Sequence, residues 1–313
     1  MIVSRNVKAY AKVNLFLDVT EKLSNGYHNL NSIMQEVSLC DDITVSVTLS
    51  DAPADCNIIV LCRNTDDIPS NEKNLAWKAA DMFIKAFGTG IYYPSEIHIE
   101  IIKNIPSPGG LGGGSADCAA VLNALNDIFE LHLSFGTLSE LGAKIGSDVP
   151  FCIKGCCAVV NGCGEIVESI DIKYPENCCF LIANAGIGMP TPLAFHLLDE
   201  KFNGFSSGEY IDGTDQLRTF ESAVSAVQNG SYEDLCGCTY NIFEEIIKTV
   251  RPEINTIFDI INSNDADSCF LSGSGPSVIG IFTDQVSLTR AYRELSSRGV
   301  KCWTCKPITK LSV

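Results

Sequence analysis

Five of the six residues at 109–114 are glycine, in the run Pro108-Gly109-Gly110-Leu111-Gly112-Gly113-Gly114-Ser115. Only glycine lets successive backbone amides crowd round an anion without Cβ clashes. A helix opening near Ser115 would add unpaired N–H groups and a positive dipole end to the same attraction. The chemistry this arrangement suits is phosphate binding. The run lacks the Gly-Lys-Ser/Thr ending of a P-loop, and Ser115 stands where the third glycine of a dinucleotide fingerprint would fall. A flexible linker is the plain alternative, and the strand before the run and the apolar-faced helix after it argue against that.

Phosphoryl transfer to an alcohol needs a group that orients or deprotonates the hydroxyl and a cation that stabilises charge. Lys12 and Asn14 interrupt the apolar strand Ala11-Lys12-Val13-Asn14-Leu15-Phe16-Leu17, and Asp148 sits in Gly146-Ser147-Asp148-Val149-Pro150. Taken singly, Lys12 reads as a solvated strand residue and Asp148 as a turn aspartate. Beside a phosphate loop, the pair suffices for the transfer. Asn25-Gly26 is a hairpin signal, and Tyr27 and His28 either pack over that turn or form a base platform, one ring stacking and the other reading an edge. Thr191, between Pro190 and Pro192, and the nearby Phe195 read first as a proline-stiffened turn with a second aromatic. Ser272-Gly273-Ser274-Gly275 is a second glycine-rich turn, explained as well by a β-turn as by a ligand. His28, His98, His132 and His196 show no metal-ligand spacing, so no protein-only metal site is assigned.

The elements that must position these groups can be read from periodicity. Alternating apolar residues predict strands at 12–20, 35–39, 42–49 and 96–103. Helical spacing appears at 75–87, 116–129 and 139–145. Beyond a polar, proline-containing segment at 171–177, strands are expected from 178, at 269–271, 277–282 and 300–305, and helices at 217–228, 240–250, 254–262 and 288–298. A boundary near residue 172 follows, giving domains 1–172 and 173–313. The stretch 200–216, rich in glycine, serine and acids, reads as an exposed connection.

The 313 residues suit two α/β cores. With 22 basic against 38 acidic residues the net charge is -16, which repels a nucleic-acid backbone and offers no basic run to overcome that. No apolar run is long enough to span a bilayer and no leader pattern opens the chain, so a cytoplasmic protein is expected. Fifteen cysteines then read as reduced, mostly buried thiols. A homodimer is left open.

In order and across nearly the whole chain, the segments around Lys12, Gly26-Tyr27-His28, the glycine loop, Gly146-Ser147-Asp148-Val149-Pro150, Pro190-Thr191-Pro192 and Leu271-Ser272-Gly273-Ser274-Gly275 resemble the motifs of the GHMP kinases. Within that family they are most similar to the members acting on a cytidine diphosphate-linked methylerythritol. The resemblance implies an α+β, two-domain fold: an N-terminal domain like domain 2 of ribosomal protein S5 and a ferredoxin-like C-terminal domain that completes the substrate site. It implies transfer of the ATP γ-phosphate to the 2-hydroxyl of the methylerythritol moiety, a step in the non-mevalonate route to isoprenoid precursors. By the match, Asp148 takes the hydroxyl proton and Lys12 supports charge. Asn14 positions the substrate, Tyr27 and Phe195 sandwich the cytosine, His28 reads its edge and Thr191 contacts the substrate. Lys103 and the loop residues Pro108, Gly109, Gly110, Leu111, Gly112, Gly113, Gly114 and Ser115 bind ATP, with Mg2+ accompanying the nucleotide. The chain departs from the family pattern at Tyr10, where proline is usual, and at Pro108, where the loop often has glycine or another small residue.

Overall fold

The computed structural model describes residues 1–51, 55–65, 68–88, 93–186, 188–202 and 219–309. Most of the expected connection at 200–216 therefore lies outside the described residues. In chain order, the first elements are strands β1 (Ile2–Lys22), β2 (His28–Ser50) and β3 (Asn57–Arg63), helix α1 (Leu75–Phe87), strand β4 (Tyr93–Ile102), and helices α2 (Gly113–Ile128), α3 (Phe135–Ala143) and α4 (Val149–Lys154). There follow strands β5 (Cys157–Gly162), β6 (Ile166–Ser169) and β7 (Cys179–Asn184), helices α5 (Thr191–Phe202), α6 (Phe220–Gln228) and α7 (Tyr232–Gly237), and strand β8 (Tyr240–Asn241). Helices α8 (Glu244–Val250) and α9 (Glu253–Ser263), strands β9 (Ser268–Leu271) and β10 (Ser277–Phe282), helix α10 (Gln285–Ser297) and strand β11 (Lys301–Cys305) complete the order.

These elements form two compact units that are not separated by a single cut. One contains Met1–Ala11, Cys40–Ile105 and Gly112–Lys154; the other contains Lys12–Leu39, Pro106–Leu111 and Gly155–Val313. Strands β1 and β2 each contribute residues to both.

In the first unit, residues 42–50 of β2 pair antiparallel with β4, and β3 lies parallel to β4. The period of two along β4 puts Ile97, Ile99 and Ile101 on one face, all fully buried. They pack with Val45 and Val47 against Ala76, Ala79, Ala80 and Phe83 of α1 and Val121 and Leu125 of α2. The alanines let the helices lie close to one another and to the sheet, as full burial of Ala119, Ala120 and Ala124 along α2 requires. Asn74 caps α1 by accepting from the Ala76 N–H at 2.8 Å.

In the second unit, β11, β7, β10 and β9 form an all-antiparallel sheet in that order. Every residue of its central strands β7 and β10 is buried. Their apolar side chains meet Ile254, Ile257 and Ile261 of α9 and Leu288, Ala291 and Leu295 of α10. Residues 30–35 of β2 pair antiparallel with β5, and β1 meets β8 in parallel at Phe16 and Leu17.

Two differences from the sequence expectation have physical causes. The expected strands 35–39 and 42–49 are one strand, because the carboxylate of Asp41, in the gap between them, is buried and satisfied by the Asn104 and Ile105 N–H groups at 2.6 and 2.8 Å. The proline-rich segment at 190–192 opens helix α5, with Pro192 at a first-turn position where no backbone N–H is needed. All fifteen cysteines are free thiols. Among the described residues no helix is long and apolar enough to cross a membrane.

Candidate active site

The glycine loop meets a different requirement in each unit. Gly110 has φ of +68°, and a Cβ there would run into the Ser272 carbonyl, so only glycine fits the approach of the loop to the second glycine turn. The Ser272 hydroxyl donates to the Gly110 carbonyl at 3.1 Å. Gly112, also at φ +68°, caps α2 with no side-chain hydrogen bond. The first-turn N–H groups of a 16-residue helix are therefore presented without a competing side-chain acceptor, as anion binding requires.

Lys12 and Asn14 belong to the same unit as Pro108, Gly109, Gly110 and Leu111. The Lys12 backbone N–H donates to the Leu111 carbonyl at 2.9 Å, which fixes β1 to the loop. Lys12 is 3% exposed and Asn14 1%, and the Lys12 ammonium donates to Asn14 Oδ1 at 2.7 Å. That oxygen also accepts from the Gly273 N–H at 3.1 Å, while Asn14 Nδ2 donates to Ser32 Oγ at 3.0 Å. The Ser32 hydroxyl in turn donates to the Phe16 carbonyl at 2.7 Å. A buried polar group keeps its place only with partners of this kind. Asn241 holds the second glycine turn through the Leu271 and Gly273 carbonyls, at 2.7 and 2.9 Å. The cation, the loop and the turn at 272–273 thus form one hydrogen-bonded assembly. Thr191, at the first position of α5, shares a hydrogen bond with Ser274 at 3.1 Å.

The other unit holds Asp148, Ser115 and Lys103. Asp148 immediately precedes α4, and its carbonyl accepts from Cys152 N–H at 3.1 Å. The Ser115 hydroxyl stands 3.6 Å from where a Cβ at Gly146 would lie, so the start of α2 packs against the turn that carries Asp148. Lys103 Nζ lies 3.6 Å from the corresponding position at Gly113, under the first turn of α2. Its ammonium is engaged by two buried carboxylates, Asp41 and, at 2.7 Å, Asp117. Burial acts to lower the Lys103 pKa, but Asp117 and Asp41 outweigh it and hold the group charged. One cation balances only one of two carboxylates. Burial, opposed by Lys103, drives the Asp117 pKa upward, and its Oδ1 has no hydrogen-bond partner.

Tyr27 is 60% exposed on the Asn25-Gly26 turn, its N–H bonded to Asn25 Oδ1 at 3.0 Å. His28 is buried and stacks on Phe195, with centroids 4.6 Å apart at 25°. Phe195 in turn meets Phe243 edge to face at 5.0 Å. Sequence reading did not single out Ser32, Asp41, Asp117, Asp199 or Asn241. The glycine signal at 273 pointed to the turn that Asn241 serves, whereas the others left no local pattern.

The family description "GHMP kinases N terminal domain" matches residues 74–156, and "GHMP kinases C terminal" matches residues 223–301. The 4-diphosphocytidyl-2-C-methyl-D-erythritol kinase of Caldicellulosiruptor bescii is 37% identical over 289 residues, covering 92% of this chain and 93% of that protein. The protein of the same name from Bacillus subtilis is 33% identical over 288 residues, with 92% and 91% covered. Among solved structures, a 4-(cytidine 5'-diphospho)-2C-methyl-D-erythritol kinase superposes with TM-score 0.72 at 24% identity, over 97% of this chain and 99% of that one. The homoserine kinase from Cytophaga hutchinsonii superposes with TM-score 0.73 at 19% identity, over 98% and 96%. With both family domains matched and relatives above 30% identity along nearly its full length, this chain belongs to the GHMP kinases.

Proposed function

We propose that this chain is a small-molecule kinase that transfers the γ-phosphate of ATP to the 2-hydroxyl of 4-diphosphocytidyl-2-C-methyl-D-erythritol, in the methylerythritol phosphate route to isoprenoid precursors. The observation that carries the reading is the buried assembly of Lys12 and Asn14 with the glycine loop and the 272–273 turn. Full-length similarity to proteins of that name supports the choice of substrate.

In this reading the first-turn N–H groups of α2 and the loop 108–115 cradle the ATP phosphates. Lys103, held under that turn by Asp41 and Asp117, contributes to the nucleotide site from beneath it. Asp148 accepts the proton of the 2-hydroxyl as it attacks, and Lys12, oriented by Asn14, stabilises the charge that develops. Magnesium, when bound with the nucleotide, would neutralise phosphate charge. Among the described residues no group of three or more His, Cys, Asp or Glu side chains could hold a metal by itself. Tyr27 supplies an exposed stacking face, and His28, backed by Phe195, reads the cytosine edge. Phe195 acts on the base as a second face or through His28, and Thr191 contacts the substrate. Residues 1–172 carry the catalytic pair and loop, and residues 173–313 complete the substrate site.

The competing reading is another GHMP activity, on mevalonate, galactose or homoserine. Those substrates have no base for Tyr27 and His28 to engage. ADP release measured over that panel, each with Mg-ATP, is expected to be high with the cytidyl substrate and low with the other three. The reverse ranking would sink the assignment.

A further inference from the structure

Asn184 closes strand β7 and is 4% exposed. A buried amide keeps its place only when both its donor and its acceptor end find partners. Its Nδ2 donates to the Pro108 carbonyl at 3.2 Å and to Ser277 Oγ at 3.0 Å, and its Oδ1 accepts from the Gly186 N–H at 2.7 Å. A carbonyl only accepts and an N–H only donates, so these partners fix which way the amide faces. Ser277 is fully buried on β10, opposite Asn184 in register, and its carbonyl accepts from the Ser272 N–H at 3.0 Å. One side chain thus joins the glycine loop to the base of the second glycine turn and to the segment leading into α5.

Four residues on, Gly188 meets the ring of the same proline. A Cβ at Gly188 would lie 2.2 Å from Pro108 Cγ and 2.7 Å from Pro108 Cβ, closer than side chains approach. The pyrrolidine ring is closed on its own backbone, so it cannot swing aside as a free side chain would. Pro108 is therefore held at its carbonyl by Asn184 and seated at its ring against Gly188, all within one compact unit.

We propose that Asn184 and Gly188 are positioning residues that clamp Pro108 and so set the glycine loop for the ATP phosphates. The inference rests on the nucleotide role given to that loop above. Pro108 is the loop's departure from the family pattern, and the bare backbone at Gly188 makes room for its ring. Thr191 lies further along the same segment but is tied separately to Ser274, so loss of the clamp acts on the nucleotide first.

The test is calorimetric titration of the full-length protein with Mg-ATP and, separately, with the cytidyl substrate. It compares wild type, Asn184→Ala, Gly188→Ala, Pro108→Gly and the double variant Gly188→Ala/Pro108→Gly. Asn184→Ala removes the hold on the carbonyl, and Gly188→Ala drives a methyl into the ring. Each is expected to weaken ATP binding about tenfold, with Kd for the cytidyl substrate held within about twofold. In the Pro108→Gly background the ring that the methyl would strike is gone, so adding Gly188→Ala should change Kd for ATP by less than about twofold. An amide that merely stabilised the end of the sheet would produce neither this split between ligands nor this relief. Wild-type ATP affinity in Asn184→Ala or Gly188→Ala, equal losses for both ligands, or an undiminished effect of Gly188→Ala in the Pro108→Gly background overturns the proposal. If Asn184→Ala does not fold, the comparison of Gly188→Ala in the two backgrounds decides. Wild type that binds the cytidyl substrate but not Mg-ATP overturns the nucleotide reading of the loop instead.

Discussion

Asn14 Oδ1 accepts a hydrogen bond from the Lys12 ammonium at 2.7 Å, and both side chains are buried. A neutral acceptor orients the ammonium without adding a countercharge. Asn14→Asp would place a carboxylate against Lys12 and blunt the charge that Lys12 offers a transition state. The expected result is a fall in kcat on the order of 10²-fold with little change in KM for ATP. Initial-rate kinetics on the purified variant would show it, and a wild-type kcat would remove Lys12 from the chemistry.

Asp148 precedes α4 and is the proposed proton acceptor. Asp148→Asn keeps its size and removes its basicity. Turnover should drop by about 10² to 10⁴-fold, while ATP affinity, measured by titration of the variant, stays near wild type. Full turnover would assign the proton to another group.

Gly110 is the tightest point of the loop. An alanine there must adopt φ near +68° and push its Cβ into the Ser272 carbonyl. The strain is about 1 to 3 kcal/mol, and relief requires the loop to part from the 272–273 turn. Gly110→Ala should lower the urea midpoint and raise KM for ATP together. Urea titration and ATP kinetics on one preparation check both halves.

Tyr27 is exposed on a turn and contributes little to the core. Tyr27→Ala should leave stability unchanged and raise KM for the cytidyl substrate about tenfold, as loss of one stacking face does. KM for ATP should not move. Equal rises for both substrates would count against a base platform.

Glu36 is 5% exposed and accepts the Cys156 N–H at 2.7 Å. Burial pushes its pKa up from 4.5 to about 7, opposed by that hydrogen bond. The folded state therefore holds a proton that the unfolded chain has lost between these values, so stability falls as pH rises from about 4.5 to 7. The contribution is on the order of 3 kcal/mol. Glu36→Gln, which can still accept from Cys156, should shrink the stability difference between pH 5 and pH 7.5 in urea titrations. Asp18, raised from 3.8 to about 6 chiefly by burial, acts in the same sense and leaves part of the slope in place.

Much of this was legible because the chemistry constrains local sequence. A loop that surrounds phosphate must be glycine, and a helix on a close-packed sheet face shows its alanines and its period, so α1 and α2 fall where the pattern puts them. Helices α4 and α5 were hidden by Pro150 and Pro192, which read as turns but occupy first-turn positions. The partners of the reactive groups were less legible still. Asp41 and Asp117 are 76 residues apart, and meet only because β2 and α2 bracket Lys103. Asp199 reaches His28 across 171 positions. Such pairs leave no periodic trace. The expected cut at 172 is a statement about one chain position, whereas the compact units take segments from several.

The fifteen free thiols give the molecule a property unrelated to phosphate. Burial pushes the pKa of Cys56, Cys236 and Cys302 up to about 11 and of Cys178 and Cys305 to about 12. At pH 7 a thiol of pKa 11 is ionised in about one molecule in ten thousand. Alkylating reagents and oxidants that need the thiolate find almost none at these five positions in the folded chain, and a local opening restores ordinary reactivity to the one it uncovers. A cysteine-rich sequence has become an internal clock for the breathing of its own core.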